Sequence, residues 1–246
     1  MVYLVGIDDT DNLESRGTGF VGRTMGEAIT DAGLGVCGGI SRHQLLFDQR
    51  VPYTSHNSSL CLEIESDKPE EMWNMMVDFL LKACAPGSDC GLCMVEAGKT
   101  PKSVVKWGQT AKKDLLKQVD AFSLAKREGV SMVGLTGNHD GVIGSLAAIG
   151  LRASGNDGRF VSLKGVDVRT IIGVKNLKQI QALVHLHQIM TANGEVLDEK
   201  TPISLDGWLR PVHRKGMITL IVNKIDNNNE YEYQLASKEY IKSISD

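Results

Sequence analysis

The sequence predicts an α+β protein in which a mixed α/β sheet domain is followed by a small β-rich C-terminal subdomain. Strand-like apolar runs alternate with segments of helical periodicity through residues 1–165, whereas the segments after residue 203 are short and β-like. With 42% hydrophobic and 23% charged residues, the 246-residue chain has the composition of a folded globular protein. We divide it into residues 1–165 and 166–246, although no low-complexity linker marks the boundary.

The first elements alternate between strand and helix. An apolar run at residues 2–7 stops at two aspartates and predicts a buried strand. Apolar residues between Phe20 and Ala32 recur at helical spacing and stop at Gly33, a suitable C-cap. Two strands, an amphipathic helix that starts at a proline and a short strand are predicted next, at residues 36–47, 59–65, 69–83 and 94–95.

The later elements are shorter, and many are separated by glycines. Helical spacing predicts one or two helices within residues 99–128 and a small-residue helix after the loop that ends near residue 141. The remaining predictions are strands near 160–163 and 168–174, a helix near 177–189, and short strands at 208–212, 217–222 and 231–235.

Composition excludes several classes of protein. The net charge of −3 gives no global attraction for nucleic acid, so RNA binding requires a local basic patch. Residues 99–127 are the candidate, since they hold eight basic side chains; a solvated helix face is the alternative interpretation. No apolar run approaches membrane-spanning length, and five cysteines fit a reducing compartment, so we expect a cytoplasmic protein without a membrane partner.

Acidic residues directly follow the first predicted strand. Asp8, Asp9 and Asp11 are three carboxylates within four residues, and their mutual repulsion is relieved by a cation or a proton. Mg²⁺ is the natural cation, because it takes carboxylate and phosphate oxygens together. The alternative is an acidic turn whose aspartates cap backbone amides.

A glycine-rich segment opens the first predicted helix. Residues 17–22 match G-x-G-x-x-G, but nine residues, four of them acidic, separate them from the strand, so we reject a dinucleotide-binding fingerprint. Arg16 and Thr18 still offer a guanidinium and a hydroxyl to a phosphate beside a helix start. A plain loop with a good N-cap explains the segment equally well.

A second glycine-rich segment, residues 138–150, is predicted to be a loop that leads into a helix of small residues. Its first amides are expected to point outward and to bind phosphate together with the helix dipole, without the lysine of a P-loop. Tight helix packing through the small residues is the alternative, and both can hold. We expect this segment and the acidic residues to line one cavity.

Three stretches, residues 6–11, 52–59 and 141–150, occur in the order and spacing of one family's motifs. In them the chain resembles the archaeal isoleucine-tRNA agmatinylcytidine synthetase family over about residues 2–165. The resemblance implies an ATP-dependent enzyme with a kinase-like domain and a ferredoxin-like domain. It also implies that the three aspartates bind magnesium and phosphates and that the loop near residue 141 cradles the nucleotide. Family members carry a zinc ribbon further on, whereas this chain has no cysteine after Cys93.

We therefore expect a magnesium-dependent ATP-binding protein that acts as a phosphotransferase or ligase; a non-catalytic nucleotide-binding accessory module is the alternative. RNA binding through residues 99–127 is a third, less favoured hypothesis. The candidate catalytic residues are Asp8, Asp9, Asp11 and Thr18, of which the three aspartates are the metal ligands. The candidate nucleotide-binding residues are Thr10, Arg16, His139, Asp140, Gly141, Gly144 and Ser145. A polar loop at Ser55, His56 and Asn57 is the candidate substrate loop.

Overall fold

The first strand is buried on both faces and lies at the centre of the N-terminal sheet. In the computed structural model, which describes residues 1–51, 57–225 and 231–245, Tyr3, Val5 and Ile7 pack against one layer of helices. Leu4 packs against a second layer on the other face. The elements of this part are β1 (Val2–Asp8), α1 (Thr18–Asp31), β2 (Val36–Gln44), β3 (Ser58–Glu65), α2 (Pro69–Ala83) and β4 (Gly91–Glu96).

These six elements form a ferredoxin-like unit. Their sequence order is βαββαβ, the strand order is β4-β1-β3-β2, and every neighbouring pair is antiparallel. The register of β2 against β3 shifts between Cys37 and Gly39, so Gly38 and Gly39 lie at a β-bulge. The predicted α+β class and its ferredoxin-like portion are therefore confirmed.

The second helical layer covers the face of β1 that carries Leu4. Its elements, with one further edge strand, are α3 (Lys102–Ala111), α4 (Gln118–Glu128), β5 (Ser131–Gly134) and α5 (Gly141–Ala153). Glycines on β1 and on α5 allow α5 to pack closely against β1 and α3. A Cβ on Gly6 would lie 1.9 Å from the carbonyl oxygen of Ser145, and a Cβ on Gly150 would lie 2.0 Å from the carbonyl oxygen of Val104. The small residues of α5 thus serve tight packing, as one of the two interpretations predicts.

The remaining strands extend the sheet beyond β2. The elements are β6 (Arg159–Leu163), β7 (Val166–Asp167), β8 (Val174–Lys175), α6 (Leu177–Gln181), β9 (Gln188–Thr191), β10 (Ile203–Ser204), β11 (Val212–Arg214), β12 (Met217–Lys224), β13 (Tyr233–Leu235) and α7 (Lys238–Ser245). Within the described residues the sheet continues from β2 through β6, β11, β12, β13 and β10 to β8. A third apolar cluster, which includes Phe160 and Leu220, lies in this region.

Three sequence predictions in this region are wrong. The strand predicted at 208–212 is absent over residues 208–211, since β11 begins only at Val212. The helix predicted at 177–189 ends at Gln181, and residues 188–191 form β9, which pairs in parallel with β12. The strand predicted at 168–174 is a 3-10 turn, Val168–Thr170, followed by the first residue of β8. In the described ranges, no helix combines the length and the apolar character needed to cross a bilayer.

Candidate functional site

The carboxylate of Asp8 lies directly on the first turn of α5. Asp8 is the last residue of β1, on the face that β1 turns toward α5. A Cβ on Gly144 would lie 1.8 Å from the Asp8 Oδ2 atom, so only glycine leaves room for this side chain. A Cβ on Gly141 would likewise lie 2.7 Å from the backbone oxygen of Asp8. The expected meeting of the acidic segment with the second glycine segment is therefore confirmed.

The acidic segment is electrostatically crowded. Burial, reinforced by the charge of Asp9, raises the pKa of Asp8 to about 8. Burial and the neighbouring Asp89 carboxylate raise the pKa of Asp9 to about 6. Within the described part of the chain, neither Asp8 nor Asp9 forms an ion pair. Without a cation, Asp8 therefore holds a proton at neutral pH.

The chain turns sharply immediately after β1. Asp9 has a φ of 52°, in the left-handed region that aspartate tolerates better than most residues, so the strand alternation does not continue past Asp8. Thr10 is buried and donates to the Thr18 hydroxyl over 3.0 Å, and Thr18 donates to Asp11 Oδ1 over 2.8 Å. The turn thus ties the acidic segment to the start of α1.

Apart from Thr10, whose buried side chain does not line it, these residues form the floor of a cavity of about 410 Å³, which we call the acidic cavity. Asp8, Asp9, Asp11 and Thr18 line it together with Asp140, Gly141 and Gly144. Its walls are partly apolar, with Leu45, Leu115 and Ile143 among them. A charged floor beneath apolar walls suits a ligand that has one charged end and one apolar, planar end.

The first amides of α5 are already paired, contrary to the prediction that they point outward. Gly141 N–H donates to the Asp89 carbonyl over 2.8 Å, and Val142 and Ile143 donate to the carbonyls of His139 and Asp140. The side chain of Ser145 is also misassigned by the sequence: it is fully buried, and its hydroxyl donates to the Val142 carbonyl and lies 3.0 Å from Cys93 Sγ. The helix dipole remains available to an anion, whereas these three amides and the Ser145 hydroxyl already have partners.

Two further predicted nucleotide-binding side chains lie outside the acidic cavity. Arg16 is exposed and stacks on Phe20, with its guanidinium carbon 3.8 Å from the ring centroid. His139 is exposed, with a φ of 72°, and its side chain lies over Gly134. The prediction that Arg16 and His139 bind the nucleotide is therefore wrong. It rested on their being close in sequence to residues that line the cavity.

The predicted substrate loop is only partly described. Ser55 and His56 lie outside the described residues. Asn57 lines the acidic cavity, and its side-chain amide donates to the Leu46 carbonyl over 2.8 Å. This bond holds the end of the loop against the segment that follows β2.

Several residues of the acidic cavity were not predicted from the sequence. Leu45 and Leu46 follow β2, residues 115–117 lie in the connection between α3 and α4, and Gln118 is the first residue of α4. Asp89 raises the pKa of Asp9 and, through its carbonyl, accepts the first amide of α5. Apolar loop residues and a single loop aspartate carry no distinctive local pattern, so only the tertiary structure assigns them.

The donor set fits Mg²⁺ in one respect only. Asp8 and Asp9 supply hard oxygen ligands that no cation in the described residues compensates. However, no cluster of three or more His, Cys, Asp or Glu side chains in the described part of the chain is arranged to hold a metal ion. The arrangement therefore suits an ion held by one or two carboxylates and completed by water and phosphate oxygens, which is how Mg²⁺ usually accompanies nucleotides.

Comparison with sequences gives little family information. No protein-family model matches the chain. An uncharacterized protein of Methanocaldococcus jannaschii is 26% identical over 153 residues, which cover 60% of this chain and 49% of that protein. The match thus spans about half the length of the curated relative.

Solved structures share the fold of part of the chain. The crystal structure of a tRNA fluorescent labeling enzyme matches with a TM-score of 0.55 and 23% identity over 61% of this chain and 36% of that one. An isoleucine-tRNA agmatidine synthetase in its apo form matches with a TM-score of 0.54 and 21% identity over 61% and 35%. The complex of that synthetase with its tRNA and ATP matches with a TM-score of 0.54 and 22% identity over 61% and 36%. At these identities the comparison establishes a common fold.

Proposed function

We propose that the acidic cavity binds ATP together with Mg²⁺ and that the protein is a phosphotransferase or ligase. The observation that carries the proposal is the contact between the positive end of α5 and the half-buried carboxyl group of Asp8, which forms no ion pair within the described residues. In the metal-bound state, Asp8 and Asp9 would hold the ion, which supplies positive charge to the phosphates. Leu45, Leu115 and Ile143 offer an apolar wall to the base.

The chain's own residues then position the terminal phosphoryl group. The dipole of α5 stabilises negative charge near Gly144, and the hydroxyl of Thr18 lies at the same cavity. Transfer would move this phosphoryl group to an acceptor oxygen and release ADP. The fold neighbour crystallised with ATP and an isoleucine tRNA supports ATP use and makes tRNA the first acceptor to test. Modification of tRNA is therefore the specific form of the proposal.

Calorimetric titration with ATP, with and without Mg²⁺, tests binding. We expect wild-type protein to bind ATP only with Mg²⁺ and Asp8→Asn to lose this binding, because an amide cannot supply the anionic oxygen. Asp120→Asn is the matched control, since Asp120 is exposed on α4 and does not line the acidic cavity. Absence of ATP binding by the wild type in both conditions would refute the proposal.

The accessory-module alternative is favoured by one observation. The amides of Gly141, Val142 and Ile143 are already bonded to backbone carbonyls, so they add no free donors for a transferred phosphoryl group. Release of ADP from ATP in the presence of tRNA separates the alternatives. Turnover that Asp8→Asn and Asp11→Asn abolish supports the enzyme, whereas tight binding without turnover supports the module.

A further inference from the structure

A second, strongly basic cavity lies outside the acidic cavity. Its volume is about 270 Å³, and we call it the basic pocket. It is enclosed by residues of α1, β2, β6, α7, the 3-10 turn and the segment before β11. Its cationic side chains are Arg23, Arg42, Arg159, Arg169, Arg210, Lys238 and Lys242. Among the described residues, no acidic side chain lines it.

Most of this positive charge lacks an ionic partner. Arg169 pairs with Asp167, but Arg23, Arg159, Arg210 and the two α7 lysines form no ion pair within the described ranges. Burial and then a neighbouring arginine lower the pKa of both Arg23 and Arg210. Such crowding is unfavourable unless an anion relieves it, and arginine forks match phosphate oxygens.

An exposed tryptophan adjoins these cations. Trp208 lines the basic pocket and is 55% exposed, which is unusual for so large an apolar side chain. The guanidinium carbons of Arg169 and Arg210 lie 5.4 Å and 5.6 Å from its ring centroid. An exposed aromatic ring beside arginines suits a nucleotide, because bases stack on aromatic rings and guanidinium groups bind phosphate oxygens.

We propose that the basic pocket binds a nucleotide unit, with its phosphate on Arg159 and Arg210 and its base on Trp208. A phosphate would neutralise the cations that form no ion pair, and a planar base would stack on the exposed indole. An acidic peptide would neutralise the cations but would not stack on the indole. The source of the unit is either a free nucleotide or one residue of a nucleic-acid strand. The segment from residue 166 onward thereby acquires a ligand-binding role.

The basic pocket is separate from the acidic cavity but adjoins it. Arg42 lines the basic pocket, and its Nε atom donates over 2.9 Å to the hydroxyl of Ser58, which lines the acidic cavity. Arg23 lies on α1, whose first residue is Thr18. A strand held in the basic pocket would therefore lie next to the proposed ATP site. The inference itself does not depend on that site.

Fluorescence anisotropy with a fluorescein-labelled single-stranded RNA of about 12 nucleotides tests the proposal. The measurement uses the full chain carrying Asp8→Asn in EDTA, so that the proposed ATP site does not contribute to the binding that is measured. We expect Arg159→Gln/Arg210→Gln to weaken binding at least about tenfold and to reduce the slope of log affinity against log salt by ~0.7, the contribution of one phosphate of a single strand. Trp208→Ala should weaken binding about tenfold, with Trp208→Tyr restoring most of it.

The matched control is Lys113→Gln/Lys126→Gln, which removes two exposed charges from α4 and the segment after α3. This control should leave the affinity unchanged. Competition by unlabelled AMP identifies a free nucleotide as the source, and RNA binding without such competition identifies a strand. Circular dichroism verifies folding of each variant. The proposal is overturned if RNA and AMP both fail to bind, if only the control weakens binding, or if polyglutamate competes equally well and Trp208→Ala has no effect.

Discussion

Two carboxyl groups with raised pKa values, Asp9 and Asp8, make the acidic cavity respond to pH, and the pKa of Asp8 is raised further. The folded pKa of about 8 lies above the ordinary value of 3.8. Between these two values the folded protein keeps a proton that the unfolded chain has lost, so stability falls as pH rises, by at most about 1.4 kcal/mol per pH unit. A bound cation would lower the free energy needed to ionise Asp8 in the folded protein.

The first prediction is that Asp8→Asn stabilises the metal-free protein, and increasingly so from about pH 5 to about pH 8. The amide resembles the protonated acid in shape and cannot ionise. Urea denaturation in EDTA at both pH values measures the difference between variant and wild type. Asp120→Asn should give a difference that does not change with pH in this way. A constant difference for Asp8→Asn would contradict the assignment of the raised pKa.

The contact between β1 and α5 determines the position of the acidic cavity. A Cβ at Gly6 would lie 1.9 Å from the Ser145 carbonyl oxygen, which is backbone and cannot swing aside. We predict that Gly6→Ala destabilises the protein by about 1–3 kcal/mol or more, as overpacking does. Thermal denaturation measures it. Gly98→Ala is the control, since a Cβ there meets nothing within 4 Å and its effect should stay within about 0.5 kcal/mol.

A buried polar network connects β2 to the end of α3. His43 is fully buried and lies 2.7 Å from Ser41 Oγ through Nε2 and 2.8 Å from Asp157 Oδ1 through Nδ1. Lys112 donates to the other oxygen of Asp157 over 2.6 Å. Because Lys112 follows Ala111, which lines the acidic cavity, this network fixes one wall of the cavity.

We predict that Asp157→Ala costs about 1–3 kcal/mol of stability, because it leaves His43 and Lys112 without their partner. Glu96→Ala removes an ion pair between the partly exposed Glu96 and the exposed Lys99 and should cost less than Asp157→Ala, because solvent screens such a pair. Chemical denaturation of both variants provides the comparison. Equal costs would show that the buried network contributes no more than a surface pair.

Elements whose signal is local were predictable from sequence, and those that depend on distant partners were not. The helix from Pro69 to Ala83 carries proline, acids and apolar periodicity within itself, and both predicted ends are correct. Residues 188 and 189 end the run of helical spacing but belong to strand β9, because β12, some 30 residues later, pairs with it in parallel. His185 and His187 therefore lie outside any helix, with their Nε2 atoms 3.2 Å apart.

The same distinction applies to the acidic cavity at the scale of the whole molecule. Sequence identified the crowded aspartates and the glycine segment, whose residue types reveal their chemistry. It did not reveal that three α5 amides are already bonded or that Ser145 faces the sheet. Those facts depend on how β4, β5 and α5 pack, which no local pattern encodes.

The division of the molecule at residue 165 stays a prediction. The register between β6 and β11 is the single pair Arg159 and Val212, a narrow connection for so long a sheet. We predict that residues 1–165 fold alone, with reduced stability because Phe160 and Leu163 lose apolar cover. Cooperative thermal melting of this fragment tests the prediction, and a fragment without cooperative melting contradicts it.

The close fit between Asp8 and Gly144 has an evolutionary consequence. Since a side chain at residue 144 would occupy the space of the Asp8 carboxylate, replacement of Gly144 is tolerated only after Asp8 has been replaced by a smaller residue, whereas Asp8 can change while the glycine stays. Homologous chains that carry a side chain at position 144 should therefore also lack the aspartate. Such a lineage has given up the anionic oxygen on which nucleotide chemistry at this cavity depends.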